Sequence, residues 1–271
     1  MYHLIDETAE YLIKRLDGFE PEFGIILGTG LGKLAEEIEV EKSISYSNIP
    51  NFPISTVEFH RGKLIFGTLG GRKVVAMQGR FQYYEGYSMQ QITFPIRVMK
   101  ALGIQKLFVS NASGALNPEI KKGTLAIIED HIDLLPDNPL RGNNNERYGV
   151  RFPDMSRPYD PQMIAQGLEI ANKHGFATSQ AVYVGTPGPN LETRAEYRYM
   201  RIMGGDIVGM STVPEVIVTN HAELPVFAIS VVTDEGYHED LQPVSLQEIV
   251  AVAAEAEPKL TIILKELIAL Q

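Results

Sequence analysis

Seven short segments hold the side chains best suited to chemistry. Gly28-Thr29-Gly30-Leu31-Gly32 follows an apolar run and precedes a helical pattern. Its glycines let backbone N–H groups approach an anion, the expected helix start adds a favourable dipole, and Thr29 adds a hydroxyl. A tight turn is the other reading of that segment. Arg80, in Gly79–Tyr87, offers a planar fork that matches phosphate, or it is a surface arginine beside aromatic packing. His60 stands alone, and none of the six histidines has a histidine partner at i+3 or i+4, so no metal site is expected. Asn111–Asn117 ends an apolar strand with small residues, where a backbone can come close to a ligand. Glu192 sits one residue before a helix cap, Val208–Thr212 carries hydroxyls from a strand end to a helix start, and Thr233-Asp234 closes the last apolar strand.

The glycine spacing departs from both common nucleotide motifs. A dinucleotide fingerprint needs glycine where Lys33 stands, and a Walker loop needs Ser or Thr where Leu34 follows Lys33. The 271 residues carry a net charge of −10, with no basic stripe to neutralise a nucleic-acid backbone. A single small anion can still be held by a few local donors. There is no cysteine, which excludes disulfides, thiolate catalysis and thiolate metal sites. The first sixteen residues lack the basic start and apolar core of a signal peptide, and no apolar run is long enough to span a membrane. A cytoplasmic enzyme is the expectation.

The elements that must position these residues alternate along the chain. Strands are predicted at Gly24–Leu27, Lys63–Thr68, Lys73–Gln78, Lys106–Asn111, Thr124–Glu129, Ala181–Val184, Asp206–Met210 and Val226–Thr233. Several are apolar without alternation, as in strands covered on both faces. Helices are predicted at Leu4–Leu16, Leu31–Ile38, Met89–Leu102, Pro161–His174, Arg194–Met203, Val213–His221 and Leu246–Leu270. Capping-box patterns occur at Ser88/Gln91, Thr193/Glu196, Thr212/Glu215 and Ser245/Glu248. The alternation indicates an α/β fold with a mixed, mainly parallel central sheet and helices on both faces. Leu135–Pro158 is the one long aperiodic stretch, either a functional loop or a surface excursion.

Taken in order, these segments resemble the trimeric purine nucleoside phosphorylase family, which includes the methylthioadenosine phosphorylases. The resemblance runs from Gly28 to the final strand and implies one nucleoside phosphorylase domain over residues 1–271. It implies that Thr29, His60, Arg80, Gln82, the Ala112 amide and Ser211 bind phosphate. Tyr84, Met210 and Leu246 would border the ribose, and Phe152 would reach a neighbouring subunit's ribose site in a homotrimer. Glu192 and Asp234 would read the purine edge, with Leu191, Val208 and Ala112 against the ring; Glu192, Asp234 and His60 are the expected catalytic residues. Phosphate is a co-substrate in such chemistry, and neither a metal nor an organic cofactor is implied. Cleavage passes through an oxocarbenium-like sugar, so catalysis rests on holding phosphate beneath C1′ and stabilising charge that leaves on the base.

Four positions depart from the family pattern: Gln82 where His is common, Leu191 where Phe or Tyr is common, Asp234 where 6-oxopurine members have Asn, and Leu246 where a histidine usually meets the ribose 5′-hydroxyl. A missing hydrogen bond of that last kind costs about 0.5–1.5 kcal/mol. Asp234 and Leu246 lean toward methylthioadenosine and a 6-aminopurine. Glu192 leans toward inosine and guanosine, because a carboxylate accepts N1–H of a 6-oxopurine and faces adenine N1 unpaired. Such mismatches discriminate by up to about 10⁴-fold. Glu192 carries the greater weight because it reads N1 directly. The alternatives from other classes are a nicotinamide-dependent oxidoreductase built on Gly28–Gly32 and a non-catalytic nucleoside-binding protein.

Overall fold

The computed structural model describes residues 2–28, 31–54 and 62–271. Nine strands lie among them: β1 (Phe23–Leu27), β2 (Glu39–Ser45), β3 (Lys63–Leu69), β4 (Arg72–Gln78), β5 (Lys106–Ala115), β6 (Leu125–Asp133), β7 (Thr178–Gly185), β8 (Ile207–Gly209) and β9 (Val226–Glu235). The α-helices are α1 (Tyr2–Ile13), α2 (Met89–Ala101), α3 (Pro161–Lys173), α4 (Arg194–Ile202), α5 (Val213–His221) and α6 (Leu246–Ala269). The unbroken apolar runs are buried along their whole length in β1, and through Thr233 in β9, as the lack of alternation predicts.

The strands form one mixed sheet in the order β2-β3-β4-β1-β5-β8-β7-β6-β9, and β9 also pairs in parallel with β5. The second pairing closes β5, β8, β7, β6 and β9 into a ring. Helices α1, α2 and α5 pack together as one group, and α3 packs with α6 as another. Among the described residues, no helix is long and apolar enough to cross a membrane.

Two local expectations are corrected. The helix expected at Leu31–Ile38 is a short 3₁₀ segment, Lys33–Glu37. The backbone N–H groups of Lys33 and Leu34 donate to Glu257 Oε1 of α6, at 2.5 and 3.3 Å. No α-helix follows the glycine turn, so the dipole expected there is absent. Strand β2 follows directly; its mostly exposed, charged sequence gave no strand pattern. The Thr212/Glu215 capping box is also absent: Thr212 has φ +67° and makes no side-chain cap. The boxes at Ser88/Gln91, Thr193/Glu196 and Ser245/Glu248 do form.

The aperiodic stretch is tied down at several points. Asn220 Nδ2 donates to the Pro158 carbonyl, Arg151 Nη1 to the Gly142 carbonyl, and Arg147 pairs with Asp6 of α1. His221, the last residue of α5, anchors its middle. Arg97 Nη1 can only donate, so His221 Nδ1 is the acceptor at 3.3 Å and Nε2–H donates to Asn144 Oδ1 at 3.1 Å. Burial, then the charges of Arg97 and Arg151, lower the His221 pKa to about 4. A histidine depressed on folding stays neutral in the native state while the unfolded chain takes up a proton. Its stabilising contribution is present at neutral pH and is lost as pH falls from its ordinary value toward about 4. Urea midpoints measured from pH 7 to pH 4.5 should therefore drop, and His221→Gln should flatten that drop while lowering the neutral-pH midpoint.

Candidate active site

An open cleft lies where several strands end on the same side of the sheet. The loop after β4 brings Arg80, Gln82 and Tyr84; the end of β5 brings Asn111, Ala112 and Gly114. Strand β8 and its exit bring Val208, Met210 and Ser211, and β9 brings Asp234. Leu191 and Glu192 precede α4, and Leu246 begins α6. These segments lie far apart in the sequence and meet only in the folded chain. Thr29 and His60 lie outside the described residues. Phe152 does not reach this cleft; it is 86% exposed on the long loop, beside Arg151.

At one end of the cleft Arg80 is almost fully buried, at 1% exposure. It is not a surface arginine, and its fork is held by protein acceptors. Nε and Nη2 donate to the two carboxylate oxygens of Glu215 at 3.1 and 2.8 Å, and Nη1 donates to the Ser110 carbonyl at 3.0 Å and to Ser211 Oγ at 3.2 Å. Four of its five N–H groups thus have protein acceptors, and Arg80 also lines the cleft. Ser211 Oγ lies 3.2 Å from Thr212 Oγ1, which accepts from Asn111 Nδ2 at 2.8 Å. The unusual backbone of Thr212 turns its hydroxyl into this chain and away from a cap. Asn111 Oδ1 is buried without a partner. Burial, and then the charge of Glu85, raises the Tyr84 pKa against the opposing pull of Arg80.

The other end is acidic. Thr186 Oγ1 donates to Glu192 Oε1 at 3.0 Å. Burial raises the Glu192 pKa, hydrogen bonds from its own backbone, Thr186 and Tyr197 oppose the rise, and the Asp234 charge adds to it. Asp234 is likewise raised by burial, against a hydrogen bond from Thr233 and the charge of Lys122. A bulge sets its aim. Ser113 pairs with Val232 and Gly114 with Asp234, so Thr233 is the extra residue. Thr233 Oγ1 lies within hydrogen-bonding distance of both the Ser113 carbonyl, at 3.2 Å, and Asp234 Oδ1, at 2.9 Å. Glycine at 114 makes room for the carboxyl, because a Cβ there would stand 2.7 Å from Asp234 Oδ2. Leu191 and Leu246 form the open, apolar rim, at 45% and 52% exposure. Sequence reading missed Glu215, Thr186 and Tyr197. Only Glu215 carried a local signal there, and that signal pointed to a helix cap.

One end of the cleft presents oriented N–H and O–H donors, the other presents carboxyls, and apolar side chains line the space between. The arrangement is that of a nucleoside phosphorylase. A family model described as the phosphorylase superfamily matches residues 22–269. Purine nucleoside phosphorylase 1 of Geobacillus stearothermophilus is 49% identical over 246 residues, covering 91% of this chain and 89% of that one. Purine nucleoside phosphorylase 1 of Bacillus subtilis is 47% identical over 263 residues, 97% of each chain. The crystal structure of Schistosoma mansoni purine nucleoside phosphorylase in complex with inosine is 43% identical, with a TM-score of 0.93 over 98% of this chain and 96% of that one. The chain belongs to the phosphorylase superfamily and, within it, to the purine nucleoside phosphorylases, which are pentosyltransferases.

Replacing Gly114 tests the acidic end. The atom that a new methyl would meet is the tip of Asp234, which can move, so Gly114→Ala should fold. Steady-state kinetics should show kcat/KM for nucleoside reduced about 10-fold or more, the size of one misplaced hydrogen bond, with the KM for phosphate unchanged.

Proposed function

We propose that this cleft carries out reversible phosphorolysis of 6-oxopurine ribonucleosides and deoxyribonucleosides, chiefly inosine and guanosine, yielding the free base and the pentose 1-phosphate. The observation that carries this reading is the Thr186 hydroxyl on Glu192, with Tyr197 beside it. These donors favour the carboxylate, and a carboxylate accepts N1–H of a 6-oxopurine. Arg80, Gln82, the Ala112 amide and Ser211, joined by Thr29 and His60, hold phosphate beneath C1′. Tyr84, Met210 and Leu246 border the pentose; Leu191, Val208 and Ala112 pack on the base. As the glycosidic bond lengthens, positive charge builds on the sugar beside the phosphate, and the electron pair leaves on the purine. Asp234, in its protonated form, donates to N7 of the departing base. Phosphate is the nucleophile, and no metal or organic cofactor takes part. The enzyme works as a cytoplasmic homotrimer in which Phe152 of one protomer closes the pentose site of the next; its exposure in the single chain supports this.

A second reading is favoured by the apolar rim. Leu246 and Ile249 line the cleft beside Asp234, and such a pair accepts a 5′-alkylthio group where a hydroxyl would lack a partner. The ratio of kcat/KM for inosine, guanosine, adenosine and methylthioadenosine decides between the two. Inosine should exceed both 6-aminopurines by about 100-fold or more, given the buried mismatch at N1. Faster turnover of methylthioadenosine would reverse the assignment.

Further outcomes follow from the same geometry. Glu192→Gln should reduce kcat/KM for inosine about 10- to 100-fold, the range for losing a hydrogen bond to a charged group. Inosine turnover should decline on the acid side at a pH above the ordinary carboxylate range, because the required carboxylate has its pKa raised by burial. Phe152→Ala should raise the nucleoside KM and leave the phosphate KM alone, and sedimentation should give three times the mass of one chain.

A further inference from the structure

Glu215 touches none of the atoms that react, yet it is buried at 5% exposure and takes two of the five N–H groups of Arg80. It stands in the first turn of α5, where the helix dipole favours a negative charge. Its position is fixed from behind: Thr219 Oγ1 donates to the Glu215 carbonyl at 2.6 Å within α5. Arg80 comes from the loop after β4, so the ion pair joins two elements 135 residues apart. The remaining contacts of the guanidinium, to the Ser110 carbonyl and Ser211 Oγ, complete its orientation.

Two consequences follow. A bidentate carboxylate fixes the plane of the guanidinium, which a single hydrogen bond would leave free to turn. It also offsets the arginine charge, with N and O 2.8 Å apart and both side chains out of water. A dianion entering the cleft therefore meets an oriented N–H and a hydroxyl more than an uncompensated cation.

We propose that Glu215 is the positioning residue that sets phosphate affinity against turnover: it aims Arg80 at the phosphate and weakens the hold on both phosphate and the pentose 1-phosphate product. The inference rests on the reading that this end of the cleft binds phosphate. In Glu215→Gln the buried guanidinium loses its counter-charge, and phosphate becomes the partner that restores it. The KM for phosphate should fall on the order of 10-fold, the scale for removing one charge a few ångströms away. Product inhibition by ribose 1-phosphate should tighten in step, kcat should fall, and the inosine KM should stay put. Added phosphate should also raise the melting temperature of the variant more than that of the wild type, since a ligand bound tighter to the native state stabilises it more. A phosphate KM that rises or stays unchanged would show Glu215 to be only a structural support, and would overturn the proposal. Glu215→Asp keeps the charge but is too short to grip both nitrogens; it should lower kcat at an unchanged phosphate KM. That variant decides the matter if Glu215→Gln does not fold, because a lowered phosphate KM or an unaltered kcat in Glu215→Asp would also overturn it. Absence of phosphate-dependent product from the wild type would instead refute the phosphorolysis reading itself.

Discussion

The parallel ladder between β5 and β9 is the constraint on which the site depends. It runs from Leu107 paired with Val226 to Ala115 paired with Glu235, through the most buried part of the sheet. One end of β5 supplies the backbone and amide side chain near the arginine, and the end of β9 supplies a carboxyl for the opposite end of the cleft. The distance between the two halves is thus set by main-chain hydrogen bonds, which are the least adjustable contacts available. The bulge at Thr233 shifts the register by one residue at the rim. Without it, residue 234 would take the alternate face and its carboxyl would point elsewhere.

The two halves solve different electrostatic problems. Near Arg80 a cation is buried beside a permanent counter-charge, and the surrounding hydroxyls and carbonyls leave few unmet partners. At Glu192 and Asp234 two carboxyls are desolvated in one space, and the Glu192 backbone, hydroxyl donors and the Lys122 charge work against the resulting rise. The chemistry assigned to each end matches that contrast, with a fixed array for an anion and a protonatable pair for a base whose charge changes as it leaves.

Much of this was legible in the sequence, wherever the cause lies within a few residues. Apolar runs marked the buried strands, three capping boxes marked helix starts, and every expected site residue among those described, apart from Phe152, lines the one cleft. The failures share a cause. Thr212 and Glu215 have the spacing of a cap, but Asn111 and Arg80, more than a hundred residues away, claim their side chains. The segment after the glycine turn has a helical pattern, but Glu257 takes its first N–H groups and it remains a single 3₁₀ turn. The bulge and the space above Gly114 depend on which strand lies alongside, and no local pattern encodes that.

Helix α6 joins the rim of the cleft to the 3₁₀ segment at Lys33–Glu37. Leu246 and Ile249 of its first turns border the cleft, and Glu257 further along holds the amides of Lys33 and Leu34. Burial raises the Glu257 pKa against those same bonds, so its carboxylate depends on the turn as much as the turn depends on it. For protein engineering, the rim of the cleft and that 3₁₀ segment are mechanically coupled. Redesign of the cleft through α6 is also felt at Lys33 and Leu34, so changes to its rim are best made on the loop before α4.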